Sequence, residues 1–290
     1  MITPSGLAET LLWGAANGSI YILLATGLSI IFGVMKLVNF AHGQLLMIGA
    51  YIAFATSTVL GLNAYFSILV SMGGVALIGL FVERFTFRKV LGTDKLNEIF
   101  VSLGLIYIFE NAAVLLWGNK SAQIVSSLHG LLSIGGISIS YDRLAAMGIV
   151  IAILVALMFL MKKTKIGLAM RATSQKSDTA MLMGINIEKV YIFTFALGAA
   201  LAGAAGALYG IIFPFSPALG ALQTIKAFAI IILGGLGSIP GAVVGGLLLG
   251  VAESTAGYVL GGIWPDAIAF VLLIAVLVIK PTGIFGGKGD

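Results

Sequence analysis

The sequence predicts an all-α polytopic membrane protein with about eight transmembrane segments, including a broken, re-entrant helix pair near residues 234–241. Composition and charge placement carry this reading. Apolar residues fill 60% of the 290 positions and charged residues only 9%, and mean hydropathy is +1.13. Soluble domains average roughly 45–50% apolar and about 25% charged residues. A chain this apolar cannot cover its own surface with polar groups, so lipid is the solvent for much of it. The charges also fall into a few short segments, leaving runs about as long as the roughly 20 residues a spanning helix needs. Residues 1–290 read as a single transmembrane domain.

The elements follow from the charge-free runs. No charge lies between Glu9 and Lys36, which allows one span. Leu37–Val82 is also uncharged and allows two, separated near Gly61–Asn63. Further spans are expected at Ile99–Trp117, Leu144–Met161, Val190–Ile212 and Pro265–Ile279. Lys and Arg set the orientation. Thirteen of the sixteen collect on one side: Lys36, Lys280, Lys288 and ten in the loops around 83–98 and 162–189. That side is cytoplasmic, which puts the N-terminus outside and the C-terminus inside. The same asymmetry accounts for the net charge of +5 without nucleic acid.

Parity then constrains the segment 225–252, which has to start and finish on the outer side. Gly234-Gly235-Leu236-Gly237-Ser238-Ile239-Pro240-Gly241 interrupts it, leaving halves of about thirteen residues, too short to span. Irregular backbone at membrane depth is tolerated only where protein buries it or it lines a watery cavity. Gly237 and Pro240 therefore become candidates for a translocation path. A second break, Asn39-Phe40-Ala41-His42-Gly43 before Gln44–Thr58, resembles the first and suggests a parallel internal repeat. Asn39, His42, Gly43 and Gln44 join the path candidates. His42 serves either a broken backbone or a proton. Glu110, beside Asn111 inside its span, is expected to face the bundle interior and hydrogen-bond there. Lys226 and Glu253 read as ordinary snorkelling groups near the outer ends.

Two further patterns stand out. Gly198, Ala202, Gly206 and Gly210 recur every four residues, with Ala199, Gly203 and Ala207 on the adjoining row. Such rows let helix backbones approach closely in lipid, within the subunit or at a subunit contact. The loop 162–189 carries a short helix beginning at Ser177 as its cap and stopped by Gly184. Its apolar Met181, Leu182, Met183 and Ile185 would not be left to water by a plain basic loop, which favours a docked partner protein.

Enzyme chemistry is not expected. There is no P-loop, the Gly-Gly-Leu-Gly run has the wrong spacing and setting for a dinucleotide turn, and no nucleophile–base pair is visible. Two histidines (His42, His129) and no cysteine make a zinc site improbable and exclude disulfides. No cofactor or metal is expected. The first ten residues lack Lys and Arg, so they do not read as a cleavable signal peptide.

Four stretches, in order along the chain, carry a family resemblance. They are Gly27-Leu-Ser-Ile-Ile-Phe-Gly-Val34 with Val38-Asn-Phe-Ala-His-Gly-Gln44; Gly167-Leu-Ala-Met-Arg-Ala172 with Ala180-Met-Leu-Met-Gly-Ile-Asn186; Phe195–Gly206; and Gly234–Ala242. Together they resemble the permease subunits of bacterial branched-chain amino-acid ABC importers, and the Asn-Phe-Ala-His-Gly stretch resembles the shorter of the two permeases. The resemblance implies a heterodimer with a second permease, two cytoplasmic ATPase subunits and an extracytoplasmic solute-binding protein in a bacterial plasma membrane. It implies that loop 162–189 includes a coupling helix seated in an ATPase cleft, with Gly167, Arg171, Asp178, Ala180, Met181, Gly184 and Ile185 as its marked positions. Asp178 stands where relatives usually carry Glu. The outer loop 118–143 is then a contact for the binding protein. Solutes implied are leucine, isoleucine and valine, with urea, short amides or other amino acids open. The other class considered is a self-contained channel or proton-coupled carrier.

Overall fold

Side-chain caps mark where six of the described helices start, because the first turn of a helix leaves backbone N–H groups without partners. In the computed structural model, which describes residues 3–126, 128, 130–262, 264–280 and 282–286, Thr3 caps α1 (Pro4–Met35). Helix α2 (His42–Thr58) follows an irregular stretch. Helix α3 (Phe66–Val82) continues through a π-helical turn, Glu83–Phe87, into the single turn α4 (Arg88–Val90). Asp94 caps α5 (Lys95–Trp117). A hairpin of β1 (Leu131–Ile134) and β2 (Ile137–Ser140) leads into α6 (Tyr141–Lys163), capped by Ser140. Thr164 caps α7 (Lys165–Gln175), which precedes α8 (Ser177–Leu182). Asn186 caps α9 (Ile187–Ile212), and α10 (Leu219–Gly234), α11 (Ile239–Leu260) and α12 (Trp264–Ile279) complete the chain. Lys288 and His129 lie outside the described residues.

Six of these helices are long and apolar enough to cross a bilayer: Ser5–Met35, Phe66–Val90, Lys95–Trp117, Tyr141–Lys163, Ile187–Ile212 and Ile239–Leu260. The shorter α10 and α12 are also apolar. The architecture is all-α and polytopic, as expected, and the break falls at Gly235–Ser238. One expectation is corrected. The halves around the break are not equal and short: α11 has 22 residues, about 33 Å of helix. Helix α10 has 16 residues, about 24 Å. Both helices run past the charges that had delimited them, because Lys226 and Glu253 pair with each other inside the protein.

Helix α1 is the axis of the bundle, with nearly every residue from Ile20 to Met35 buried. Glycines let its neighbours come to backbone contact. A Cβ on Gly14 would sit 2.7 Å from Val251 Cα, and one on Gly18 2.8 Å from the Gly246 carbonyl oxygen, so α11 lies antiparallel along α1. The small-residue rows of α9 work inside the subunit: a Cβ on Gly198 would lie 2.8 Å from the Gly27 carbonyl oxygen, and one on Gly203 2.9 Å from that of Ser71. Ser71 Oγ donates to the carbonyls of both Gly49 and Gly203, 2.9 Å each, tying α2, α3 and α9 together.

The interrupted backbone is satisfied by protein. Gly235 (φ 101°) and Gly237 (φ 80°) take left-handed conformations open chiefly to glycine. The carbonyls ending α10 accept from the chain beyond α12: Ile284 N–H donates to Leu233 (2.8 Å) and Phe285 N–H to Gly234 (3.0 Å). Ser238 Oγ accepts from Gly241 N–H (3.1 Å) to start α11. Before α2, Lys95 Nζ donates to the Lys36 carbonyl (2.9 Å) and Asn39 Oδ1 accepts from Ala41 N–H (2.9 Å). The fully buried Glu98 carboxylate accepts from Lys95 Nζ (2.8 Å) and Val38 N–H (3.4 Å).

The closest of these approaches gives a stability test. A Cβ at Gly206 would lie 1.9 Å from the Leu46 carbonyl oxygen, so Gly206→Leu is expected to separate α9 from α2 and lower stability by about 3 kcal/mol. Gly148→Ala, where nothing stands within 4 Å, is expected to change little. Thermal unfolding of the two variants in one detergent checks the contrast.

Candidate functional site

The sequence candidates divide among four places. Asn39, His42, Gly43 and Gln44 form one buried junction at the start of α2, each at most 1% exposed where a value bears on it: Asn39 1%, His42 0%, Gln44 0%. Their neighbour is the start of α10. Gly43 N–H donates to Thr224 Oγ1 (3.1 Å), and Thr224 Oγ1 donates to the Gly220 carbonyl (2.9 Å). A Cβ on Gly43 would stand 2.2 Å from that same Gly220 oxygen. His42 Nε2 donates to the Leu24 carbonyl (3.2 Å), since a carbonyl can only accept. That bond ties the start of α2 to the middle of α1. The Gln44 amide lies against Gly220 with neither its oxygen nor its nitrogen partnered.

Gly237 and Pro240 sit elsewhere. Gly237 packs on Gly33, about two turns along α1 from the Leu24–Gly27 stretch that meets His42. The two breaks thus lie at different heights on one helix, joined through α10. Glu110 is a correction. It does not face the bundle interior: it is half-buried at the edge of α5's exposed face, and among the described residues its carboxylate has no hydrogen-bond or ion-pair partner. The buried face of α5 is made by Glu98, Ser102, Leu105 and Ala113 instead.

Lys226 and Glu253 are a second correction. Each is 5% exposed, and they form a buried ion pair between α10 and α11 with Nζ 3.1 Å from Oε1. Tyr21 Oη on α1 donates to Glu253 Oε2 (2.7 Å). Asp266, in the first turn of α12, lies 3.0 Å from Lys226 Nζ. Four helices meet on this one cluster. It was illegible in the sequence because its members lie far apart, and no local signal distinguishes a snorkelling charge from a paired one.

The coupling-loop candidates cluster at the basic end of the bundle, where the loop is more helical than expected. Helix α7 was not anticipated. A Cβ on Gly167 would lie 2.2 Å from the Leu160 carbonyl oxygen, which is why the chain can fold sharply from α6 into α7. Arg171 Nη1 donates to the Met161 carbonyl, so this side chain braces that corner. Ser177 does not cap α8. It is the first helical residue, and Lys176 occupies the cap position with no side-chain bond. Gly184 (φ 84°) does end the turn. Ala180 is buried, Asp178 is exposed in the first turn, and Ile185 N–H donates to the Ala180 carbonyl (3.1 Å). The consequence is a protruding apolar knob: Met181, Leu182 and Met183 are 59%, 85% and 79% exposed, with Leu168 beside them. Arg88 bridges Glu83 (3.1 Å) and Glu188 (3.0 Å), joining the end of α3 to the start of α9 behind the knob.

The opposite end carries the β-hairpin and the extended segment after α5. Ala122 and Phe215 exchange backbone hydrogen bonds (2.8 Å each). Tyr65 Oη donates to Asp142 Oδ1 (2.6 Å), and burial with this carboxylate pushes the phenol up to about 12. Two clefts open here. One of about 300 Å³ is lined by Trp13, Gln123, Asp142 and Arg143, with the Arg143 guanidinium 4.5 Å from the Trp13 ring centre. The other, about 260 Å³, is lined by Ser121, Tyr209, Ser216 and Leu219. Among the described residues no group of three or more His, Cys, Asp or Glu side chains could hold a metal ion.

A multi-pass bundle of apolar helices, some of them interrupted at depth, defines a polytopic membrane protein. The family model for the branched-chain amino acid transport system permease component matches residues 10–277, and the chain belongs to that family. It is 36% identical to the high-affinity branched-chain amino acid transport permease BraD of Pseudomonas aeruginosa over 96% of this chain and 95% of that protein. To LivH of Salmonella typhimurium, named for the same transport, it is 34% identical over 94% and 93%. A probable LivH of Methanocaldococcus jannaschii is 31% identical over 92% and 89%. Among solved structures, PsaBC from Streptococcus pneumoniae in complex with Fab shares the fold, with a TM-score of 0.53 at 14% identity over 96% of this chain and 94% of that one.

The ion cluster generates a stability prediction. Lys226→Met leaves Glu253 buried without a counter-charge and is expected to cost about 3–5 kcal/mol. Adding Glu253→Leu is expected to restore most of that loss. A double-mutant cycle on detergent-solubilised protein measures both.

Proposed function

We propose that this chain is the transmembrane permease subunit of an ATP-binding-cassette importer for branched-chain amino acids (leucine, isoleucine, valine) or related small polar solutes. The observation that carries this reading is the apolar knob on α7–α8. The contiguous exposed Met181, Leu182 and Met183 at the water-facing end of a membrane bundle mark a surface for a partner, and the relatives are named for branched-chain amino acid transport. The partner fitted to the knob is a cytoplasmic ATPase subunit whose cleft receives α8. The other partners of this reading are a second permease, a second ATPase and an extracytoplasmic solute-binding protein.

The whole chain, 1–290, acts as one transmembrane domain in a bacterial plasma membrane. Excess Lys and Arg in 83–98 and 162–189 put the knob in the cytoplasm, the N-terminus outside and the C-terminus inside. The 118–143 segment, with its hairpin and flanking clefts, is the surface offered to the binding protein. ATP-driven closure of the ATPases would push on α7–α8. The Gly167 corner and the Arg88 bridges would pass that movement to α6, α3 and α9. The junction at Asn39, His42, Gly43 and Gln44, the break at Gly237 and Pro240, and Glu110 are the proposed parts of the translocation path. The break supplies the place where α10 and α11 can move against α1 without breaking a continuous helix.

Arg171 braces the fold, so the knob itself is the place to test docking. Leu182→Glu is expected to weaken co-purification of the ATPase at least about tenfold while the permease still inserts. Undiminished ATPase recovery with this variant would contradict the docking assignment.

A further inference from the structure

The outer faces of the helices show what surrounds them. The faces of α3 (Leu69, Leu77, Phe81) and α6 (Ile151, Val155, Met158, Phe159) are exposed and wholly apolar within their spans, as a lipid boundary requires. Helix α5 differs. Tyr107 (69% exposed) and Asn111 stand on its open face, with Glu110 at the edge. Asn111 Nδ2 donates to the Tyr107 carbonyl (2.8 Å), and its side-chain oxygen has no partner among the described residues. Glu110 lies about 10 Å inside Trp117, the last residue of α5. Away from the helix ends, it is the one carboxylate of a described spanning helix that lacks a partner: Glu98 pairs with Lys95, and Glu253 with Lys226.

Lipid does not accommodate this group. Ionisable side chains within spans face protein or water-filled cavities. A helix packed on this face would pair these polar groups and keep them dry, whereas a passage leaves them hydrated. We propose that the Tyr107–Glu110–Asn111 face of α5 lines a water-filled passage whose far wall is a second permease chain, and that Glu110 holds the α-ammonium group of the solute. This rests on the importer reading above and adds to it the wall of the path and the group that meets the substrate's positive charge. An amino acid zwitterion brings an ammonium with which a carboxylate that has no other partner forms a charge-assisted hydrogen bond. One to two turns further along the same face stand the exposed Leu103 and Phe100, apolar groups that suit a branched side chain. The cleft lined by Ser121 and Ser216 opens beyond the same end of α5.

The chain contains no cysteine, so single thiols can report on their surroundings without background from it. Glu110→Cys, Asn111→Cys and, on the lipid face, Val155→Cys are made in the assembled importer in vesicles. They are treated with a membrane-impermeant cationic methanethiosulfonate, and labelling of this chain is read by mass. Labelling at 110 and 111 is expected to exceed that at 155 at least about tenfold, because only hydrated thiols ionise and react. Loaded binding protein with L-leucine and ATP is expected to slow labelling at 111, and adding Glu110→Gln is expected to abolish that protection. Labelling at 110 and 111 no faster than at 155 would overturn the passage. Protection that survives Glu110→Gln would overturn the ammonium assignment. The comparison of 110 and 111 with 155 needs neither ATP nor solute, so it reads the passage by itself, and failure of the importer reading would appear separately as uptake without ATP.

Discussion

A bilayer supplies no hydrogen-bond partner for backbone, so every interruption of a spanning helix must be answered by protein. In this chain those answers come from the segment beyond α12, Ser238, Lys95 and Asn39, and the interrupted elements they stabilise all pack on α1. His42 donates to the Leu24 carbonyl, α11 runs along α1 through Gly14 and Gly18, and the break at Gly237 rests on Gly33. With α1 enclosed, α2 and α10 can begin inside the protein and meet at Gly43 and Gly220 instead of at a membrane surface. Glycine is required at these contacts because the carbonyl of one helix occupies the place a Cβ would take on the other. The interrupted helices are therefore parts of the packing scheme, and any movement between them is confined to surfaces that already lack interlocking side chains.

Charge placement follows the same rule. The bundle keeps carboxylates at depth only with partners: Glu98 under Lys95, Glu83 under Arg88, and Glu253 under Lys226 and Tyr21. Against that background an unpartnered Glu110 on an open face stands out chemically. The protein has no nucleotide motif and a thin extramembrane layer. On the importer reading, energy arrives through the knob on α7–α8, and selectivity arrives with the solute at the hairpin end.

Much of this was legible in the sequence. Charge-free runs located most of the spans because the hydrocarbon core penalises every unpaired charge, although of the two expected in Leu37–Val82 only Phe66–Val90 is long and apolar enough to cross. The Gly198–Gly210 rows signalled close helix packing, and Gly235 and Gly237 marked the break because few other residues adopt their conformation. The exposed Met181–Met183 segment was visible as apolar residues inside a basic loop. What the sequence concealed were effects of tertiary pairing. Treating Lys226 and Glu253 as helix limits shortened α10 and α11, since nothing local shows that a charge will find its partner 27 residues away. Glu110 reads as inward because an ionisable group within a span usually faces protein, and only the packing of α5, which buries Glu98 and Ser102 instead, shows otherwise. Helix α7 was overlooked because its amphipathic pattern was read as loop charge.

On the importer reading, this chain moves solute only when coupled to subunits beyond itself. Uptake of radiolabelled L-leucine into proteoliposomes tests that most directly, comparing this chain alone with the chain joined by its second permease, ATPase subunits and loaded binding protein. The account predicts accumulation solely in the complete assembly and solely with hydrolysable ATP inside the cytoplasmic compartment. Uptake by the chain alone, without ATP, would contradict it and point to a self-contained channel or carrier.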